Sequence, residues 1–99
     1  MSNPLTAEVD KLVKANDVVI YMKGSPEFPM CGFSARAIAV LKAAGFEKPA
    51  SFDVLSDDDM WGALEEYTQW PTVPQIFIKG KFVGGCDILS EMYERGELK

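Results

Sequence analysis

Residues 17–45 read DVVIYMKGSPEFPMCGFSARAIAVLKAAG, and three textures follow one another within them. Val18 to Met22 is a short apolar, β-branched run, as expected of a strand buried on both faces. Gly24, Ser25, Pro26, Glu27, Phe28 and Pro29 then force a loop. From Gly32 to Ala44 the apolar positions Ala35, Ile38, Leu41 and Ala44 recur every third residue, which predicts a helix that Gly45 stops. Strand, loop and helix together put Cys31 at a helix N-terminus.

The flanking sequence extends the pattern. Leu5, Val9, Leu12 and Val13 form a helical stripe with Thr6 as an early cap. Ser51 to Leu55 reads as a second strand. Ser56, followed by Asp57, Asp58 and Asp59, predicts a helix capped by Ser56, with Met60, Leu64 and Tyr67 inward. Trp70, Pro71, Thr72, Val73 and Pro74 make a loop. Gln75 to Ile78 and Lys81 to Val83 are strands joined by a Lys79-Gly80 turn. Asp87 is expected to cap a last helix with Leu89, Met92 and Tyr93 inward and Gly96 at its end. The order is α-β-α-β-α-β-β-α. The first two strands are linked through a helix and should be parallel, while the terminal hairpin is antiparallel. The fold class is α/β: a small four-stranded mixed sheet flanked by helices on both faces.

A chain of 99 residues is expected to be a single domain, 1–99. Its 47% apolar and 11% aromatic content supports a core and excludes disorder. No apolar run approaches the roughly 20 residues of a bilayer span. Met1 to Pro4 lacks the basic and apolar regions of a secretory signal, so a soluble protein is expected. The net charge of −5 argues against nucleic acid or an anionic membrane as a partner. The charge is uneven, and no Lys or Arg occurs between Lys48 and Lys79. The absence of His removes Ser-His and Cys-His catalysis and the usual zinc ligand sets. Cys31 and Cys86 remain, in a chain without a secretion signal, so reactive or metal-binding thiols in a reducing compartment fit better than a structural disulfide.

Cys31 at a helix N-terminus feels the macrodipole and nearby N–H groups, which stabilise thiolate over thiol. Lys23 and Arg36 could add positive potential. Ser34 stands where a Cys-x-x-Cys site would hold its resolving thiol, so no dithiol cycle runs through this motif. Gly84, Gly85, Cys86 and Asp87 precede a helix, where backbone N–H groups can bind a carboxylate. Asp87 could instead receive a ligand's ammonium group. Lys23 either meets a ligand carboxylate or stays a solvated lysine at the end of its strand. Phe33 and Trp70 are expected to combine core packing with shaping a cleft.

Lys23-Gly24-Ser25-Pro26, Pro29-Met30-Cys31-Gly32-Phe33-Ser34, Trp70-Pro71-Thr72-Val73-Pro74-Gln75 and Gly84-Gly85-Cys86-Asp87 together resemble the monothiol, CGFS-type glutaredoxins, in order and spacing, from about Val18 to Lys99. The resemblance implies a thioredoxin-like fold, glutathione binding, and a [2Fe-2S] cluster held between two protomers. It makes Cys31 the catalytic residue and metal ligand, with a bound glutathione supplying the second thiolate of each half. Two proteins and two glutathiones then give the four sulfurs such a cluster needs. It implies Lys23, Phe33, Thr72, Val73, Gly85, Cys86 and Asp87 as cofactor-binding residues. It also implies a cis Pro74 that sets Val73 beside Cys31, where an extended glutathione could pair like a strand.

One departure stands out. The family usually presents an Arg, and a Lys a turn later, toward the glycine carboxylate of glutathione; Trp61 and Glu65 or Glu66 stand there. Either the acids favour a ligand whose glycine carboxylate is masked, or Trp61 packs on the ligand and the acids face solvent. The first functional expectation is a carrier, monomeric without its cluster and homodimeric with it, that delivers [2Fe-2S] to acceptor proteins. Bacterial cytosol, or a mitochondrial matrix after loss of a presequence, would suit it. The alternatives are a glutathione-dependent thiol-disulfide oxidoreductase using Cys31, and a redox-sensing module with a Cys31–Cys86 disulfide.

Overall fold

The computed structural model describes residues 4–98. Its elements are α1 (Thr6–Ala15), β1 (Val18–Met22), α2 (Gly32–Ala43), β2 (Ala50–Asp53), a single 3₁₀ turn at Val54–Ser56, α3 (Asp58–Thr68), β3 (Gln75–Ile78), β4 (Lys81–Gly84) and α4 (Cys86–Glu94). The four strands lie in the order β2-β1-β3-β4. β1 runs parallel to β2, and β3 and β4 are antiparallel, both as the pattern predicts; β1 also pairs antiparallel with β3, which the pattern left open.

The run Val18 to Met22 is central because all five of its residues are buried. Side chains alternate across a strand, so the run feeds two cores. Val18, Ile20 and Met22 meet Ala37, Ile38 and Leu41 of α2 and Leu89 of α4 on one face. Val19 and Tyr21 meet Val9 and Val13 of α1, Ala63 and Leu64 of α3 and Phe77 of β3 on the other. Each large aliphatic side chain buried this way contributes about 1.5–3 kcal/mol. Helices therefore cover both faces of the sheet.

Several local expectations are corrected. The second strand ends at Asp53 rather than Leu55, because an Asp53 carboxylate oxygen accepts the Leu55 N–H at 2.9 Å and turns the chain. Val54 is then fully buried while Leu55 is exposed. Asp57, not Ser56, caps α3, accepting the Met60 N–H at 3.1 Å; the Ser56 hydroxyl instead donates to the Asp53 carbonyl at 2.7 Å. Thr6 is the first residue of α1, preceded by Leu5 in the cap position. Gly85 holds the cap position of α4, which starts at Cys86, so Asp87 lies inside the first turn. In α2 the inward residues are Ser34, Ala37, Ile38 and Leu41, and Ala35 faces outward. A three-residue repeat drifts around a 3.6-residue helix, so of the stripe read from Ala35, Ile38 and Leu41 are buried and Ala44 partly so, while Ala35 itself is turned out. In α4 Leu89 is buried and Met92 packs against the core as expected, whereas Tyr93, next to the last residue of the helix, is exposed and Ser90 is buried in addition.

Candidate functional site

Between β1 and α2 the chain makes a tight excursion. Gly24 forms an isolated bridge with Pro29, Ser25 and Phe28 exchange backbone hydrogen bonds at 3.0 and 3.2 Å, and the Met30 N–H donates to the Lys23 carbonyl at 2.8 Å. An Asp53 carboxylate oxygen accepts the Gly24 N–H at 2.9 Å, tying this loop to the end of β2. The loop thus returns the chain to the end of β1 and sets Cys31 in the cap position of α2.

Facing Cys31 is the segment 70–74, which contains the cis Val73–Pro74 bond that the resemblance implies. Gln75, fully buried, holds this segment from below: its Nε2 donates to the Trp70 and Thr72 carbonyls, each at 2.9 Å. A Cβ at Gly85 would stand 3.3 Å from the Pro74 carbonyl oxygen, so glycine lets the start of α4 press against the loop.

These pieces enclose a cleft of about 410 Å³. Cys31, Lys23, Phe33, Thr72, Val73, Gly85, Cys86 and Asp87, dispersed over 65 positions of sequence from 23 to 87, all line it. Trp61, Trp70, Pro71, Pro74 and Ile88 complete the wall. Phe33 is 60% exposed, so it shapes the rim and does not pack the core. Trp70 is also largely exposed and rests on Phe82, with ring centroids 6.4 Å apart.

The two thiols differ sharply. The Ser34 N–H, first, and then the Phe33 N–H, the Lys23 charge and the Ser34 hydroxyl hold the Cys31 thiol below its ordinary value, against a smaller opposing effect of burial. The thiolate is the reactive form of cysteine, so Cys31 has the more readily activated thiol of the pair. Burial raises Cys86, with the Arg36 charge only partly offsetting it. Arg36 thus acts on Cys86 and not, as expected, on Cys31. Ser34 is fully buried and accepts the Lys23 N–H at 3.2 Å, so its hydroxyl joins β1 to α2 at the foot of the cleft.

Lys23 also stands over the Trp61 indole, its Nζ 5.6 Å from the ring centroid. Glu65 and Glu66 do not reach this cleft: they line a separate shallow depression with Gly62 and Gln69. Ile88 escaped sequence reading because a helix-phase argument has no place for an apolar residue outside the core stripe; it is 44% exposed at the rim. Among the described residues no group of three or more His, Cys, Asp or Glu side chains is placed to hold a metal ion. Of the two cysteines of the chain, Cys31 is partly accessible and Cys86 is buried.

A four-stranded mixed sheet, a lone activated thiol at a helix start and a cis-proline loop facing it define a thioredoxin-like thiol protein. Residues 18–83 match the family model described as Glutaredoxin. Glutaredoxin 4 of Escherichia coli (strain K12) is 47% identical over 92 residues, covering 93% of this chain and 79% of that protein. The chloroplastic bifunctional monothiol glutaredoxin-S16 of Arabidopsis thaliana is 49% identical over 98 residues, which span 96% of this chain and 33% of the longer protein. A solved buckwheat glutaredoxin–glutathione complex is similar with a TM-score of 0.82 at 28% identity, covering 94% of this chain and 82% of the other. The chain belongs to the glutaredoxin family, in its monothiol branch.

Proposed function

We propose that this single-domain protein binds glutathione in the Cys31 cleft and, as a homodimer, carries a [2Fe-2S] cluster that it delivers to acceptor proteins. The observation that carries the reading is the inequality of the thiols: Cys31 is accessible with its thiolate stabilised, whereas Cys86 is buried and pushed up. A four-sulfur cluster then draws one protein thiolate from each of two protomers and one from each of two glutathiones. Glutathione fits the cleft by its chemistry. Its thiol meets Cys31, its peptide runs along Thr72 and Val73, and its amino-acid head meets the N–H groups at the start of α4 with Asp87 beside them. Lys23 is left for the glycine carboxylate. A compartment reducing enough to keep both thiols free, bacterial cytosol or a mitochondrial matrix, suits this chemistry.

Anaerobic reconstitution with iron, sulfide and glutathione tests the reading by absorption spectrum and gel filtration. A coloured dimer that requires glutathione and passes its cluster to an apo-acceptor is expected; a colourless monomer would refute it. The lowered Cys31 thiol also suits a second reading, exchange with glutathione mixed disulfides. There the Cys31 thiolate attacks the glutathione sulfur, the protein thiolate leaves, and a second glutathione thiolate regenerates Cys31 with release of glutathione disulfide. High turnover on such substrates, with no cluster formed, would favour it.

A further inference from the structure

We propose that Trp61 sets the ligand specificity of the cleft: the carboxyl end of the bound peptide meets an indole and a single ammonium, so thiol peptides whose C-terminal carboxylate is blocked, as an ester or by an amide-linked extension, are accepted nearly as well as the free acid. This rests on the glutathione reading above and concerns one end of that ligand.

The charges along the cleft carry the argument. Of the residues lining it, Lys23 is the one cation and Asp87 the one acid. The amino-acid head of a γ-glutamyl peptide is both ammonium and carboxylate. It matches the start of α4, where Asp87 and the first-turn N–H groups stand together. With the thiol at Cys31 and the peptide along Val73, the C-terminal carboxylate reaches the remaining wall, Lys23 and Trp61.

At that wall the ammonium is already occupied on one side by the ring it stands over, 5.6 Å from the centroid. What remains for the ligand is one monodentate, solvent-accessible charge contact, the weakest kind of ion pair. The rest of the surface there is aromatic, and an alkyl or amide extension gains contact with it. Glu65 and Glu66, in their own depression one turn along α3 from Trp61 and Gly62, offer a cationic extension a favourable exit and a free carboxylate none.

The test is calorimetry of the full chain with glutathione and with glutathione monoethyl ester, blocked at the glycine carboxyl. Wild type should bind the ester no more than about five-fold more weakly than the free acid, the range of one exposed charge contact. A larger loss overturns the proposal. Trp61→Arg introduces a fork-shaped donor for the carboxylate and should tighten the free acid about ten-fold or more, leaving the ester unchanged. An unchanged ratio in that variant overturns the role of Trp61. Trp61→Lys adds a second ammonium at the same place and should shift the ratio toward the free acid in the same direction, so the question is decided even where the Arg variant does not fold. Binding of neither compound to wild type would overturn the glutathione reading together with this one. Strong preference for the free acid overturns this one alone.

Discussion

Gly24→Ala separates the two costs that hold the loop before Cys31 in its shape. Gly24 sits at φ +88°, and a Cβ there would collide with the Phe28 carbonyl oxygen and lie 2.7 Å from the Met30 N. Both are backbone atoms, so no side-chain rotation relieves the clash. Gly45 sits at φ +100° with nothing within 4 Å of its Cβ position, and Gly62, inside α3, has neither problem. Gly62→Ala should therefore stabilise the protein by about 0.5–1 kcal/mol, reporting the helix and unfolded-state gain of alanine alone. Gly45→Ala adds the left-handed penalty of about 1–2 kcal/mol. Gly24→Ala adds to that the cost of overpacking, about 1–3 kcal/mol, for a total near 2–5 kcal/mol. In a domain of this size each kcal/mol moves Tm by about 4–8 °C, so Gly24→Ala should lose at least about 8 °C. Urea melts of the three variants, with Cys31 alkylation rates measured alongside, give both readouts. The Met30-to-Lys23 hydrogen bond carries any loop shift directly to Cys31, so alkylation should also change in Gly24→Ala and not in the other two. If Gly24→Ala costs no more than Gly45→Ala, the loop relaxes freely and does not position the thiol.

Cys31→Ser should abolish cluster binding and leave the fold intact, while Cys86→Ser should keep the cluster, both read by absorption after reconstitution. Loss of the cluster in Cys86→Ser with normal glutathione affinity would make Cys86 an essential neighbour. Ser34→Cys places a thiol at a fully buried helix position beside Cys31 and should speed thiol–disulfide exchange while weakening the glutathione-ligated cluster; an unchanged exchange rate would refute the view that Ser34 limits that chemistry. The Cys31 thiol is lower in the folded chain than its ordinary 9.0, so thiolate formation stabilises the fold above 9.0 and this gain is lost as pH falls through the folded value. The stability of wild type relative to Cys31→Ser, from urea melts, should therefore rise with pH across that window, and a flat difference would refute the thiolate assignment.

The four strands, the parallel pair β1–β2, the terminal hairpin and the place of Cys31 were legible in the sequence because each rests on local signals. The five-residue apolar run Val18 to Met22 can only be central, the Pro-rich loop can only interrupt, and the Lys79-Gly80 pair turns with both residues at positive φ. The phase of α2, the end of β2 and the caps of α3 and α4 were not legible. The end of β2 and the cap of α3 are decided by which of two neighbouring residues reaches a partner: Asp57 over Ser56 for the Met60 N–H, and Asp53 reaching both Leu55 and Gly24. A carboxylate that reaches a backbone N–H 29 residues away leaves no trace in either segment read alone. The cleft shows the same division. Its residue types could be read from four short motifs, but only the folded chain lays Lys23 on Trp61, turns Glu65 and Glu66 away, and directs the charge of Arg36 to Cys86. Charges and rings act through space over a few ångströms, and the sheet order β2-β1-β3-β4, not the sequence, sets which of them come that close.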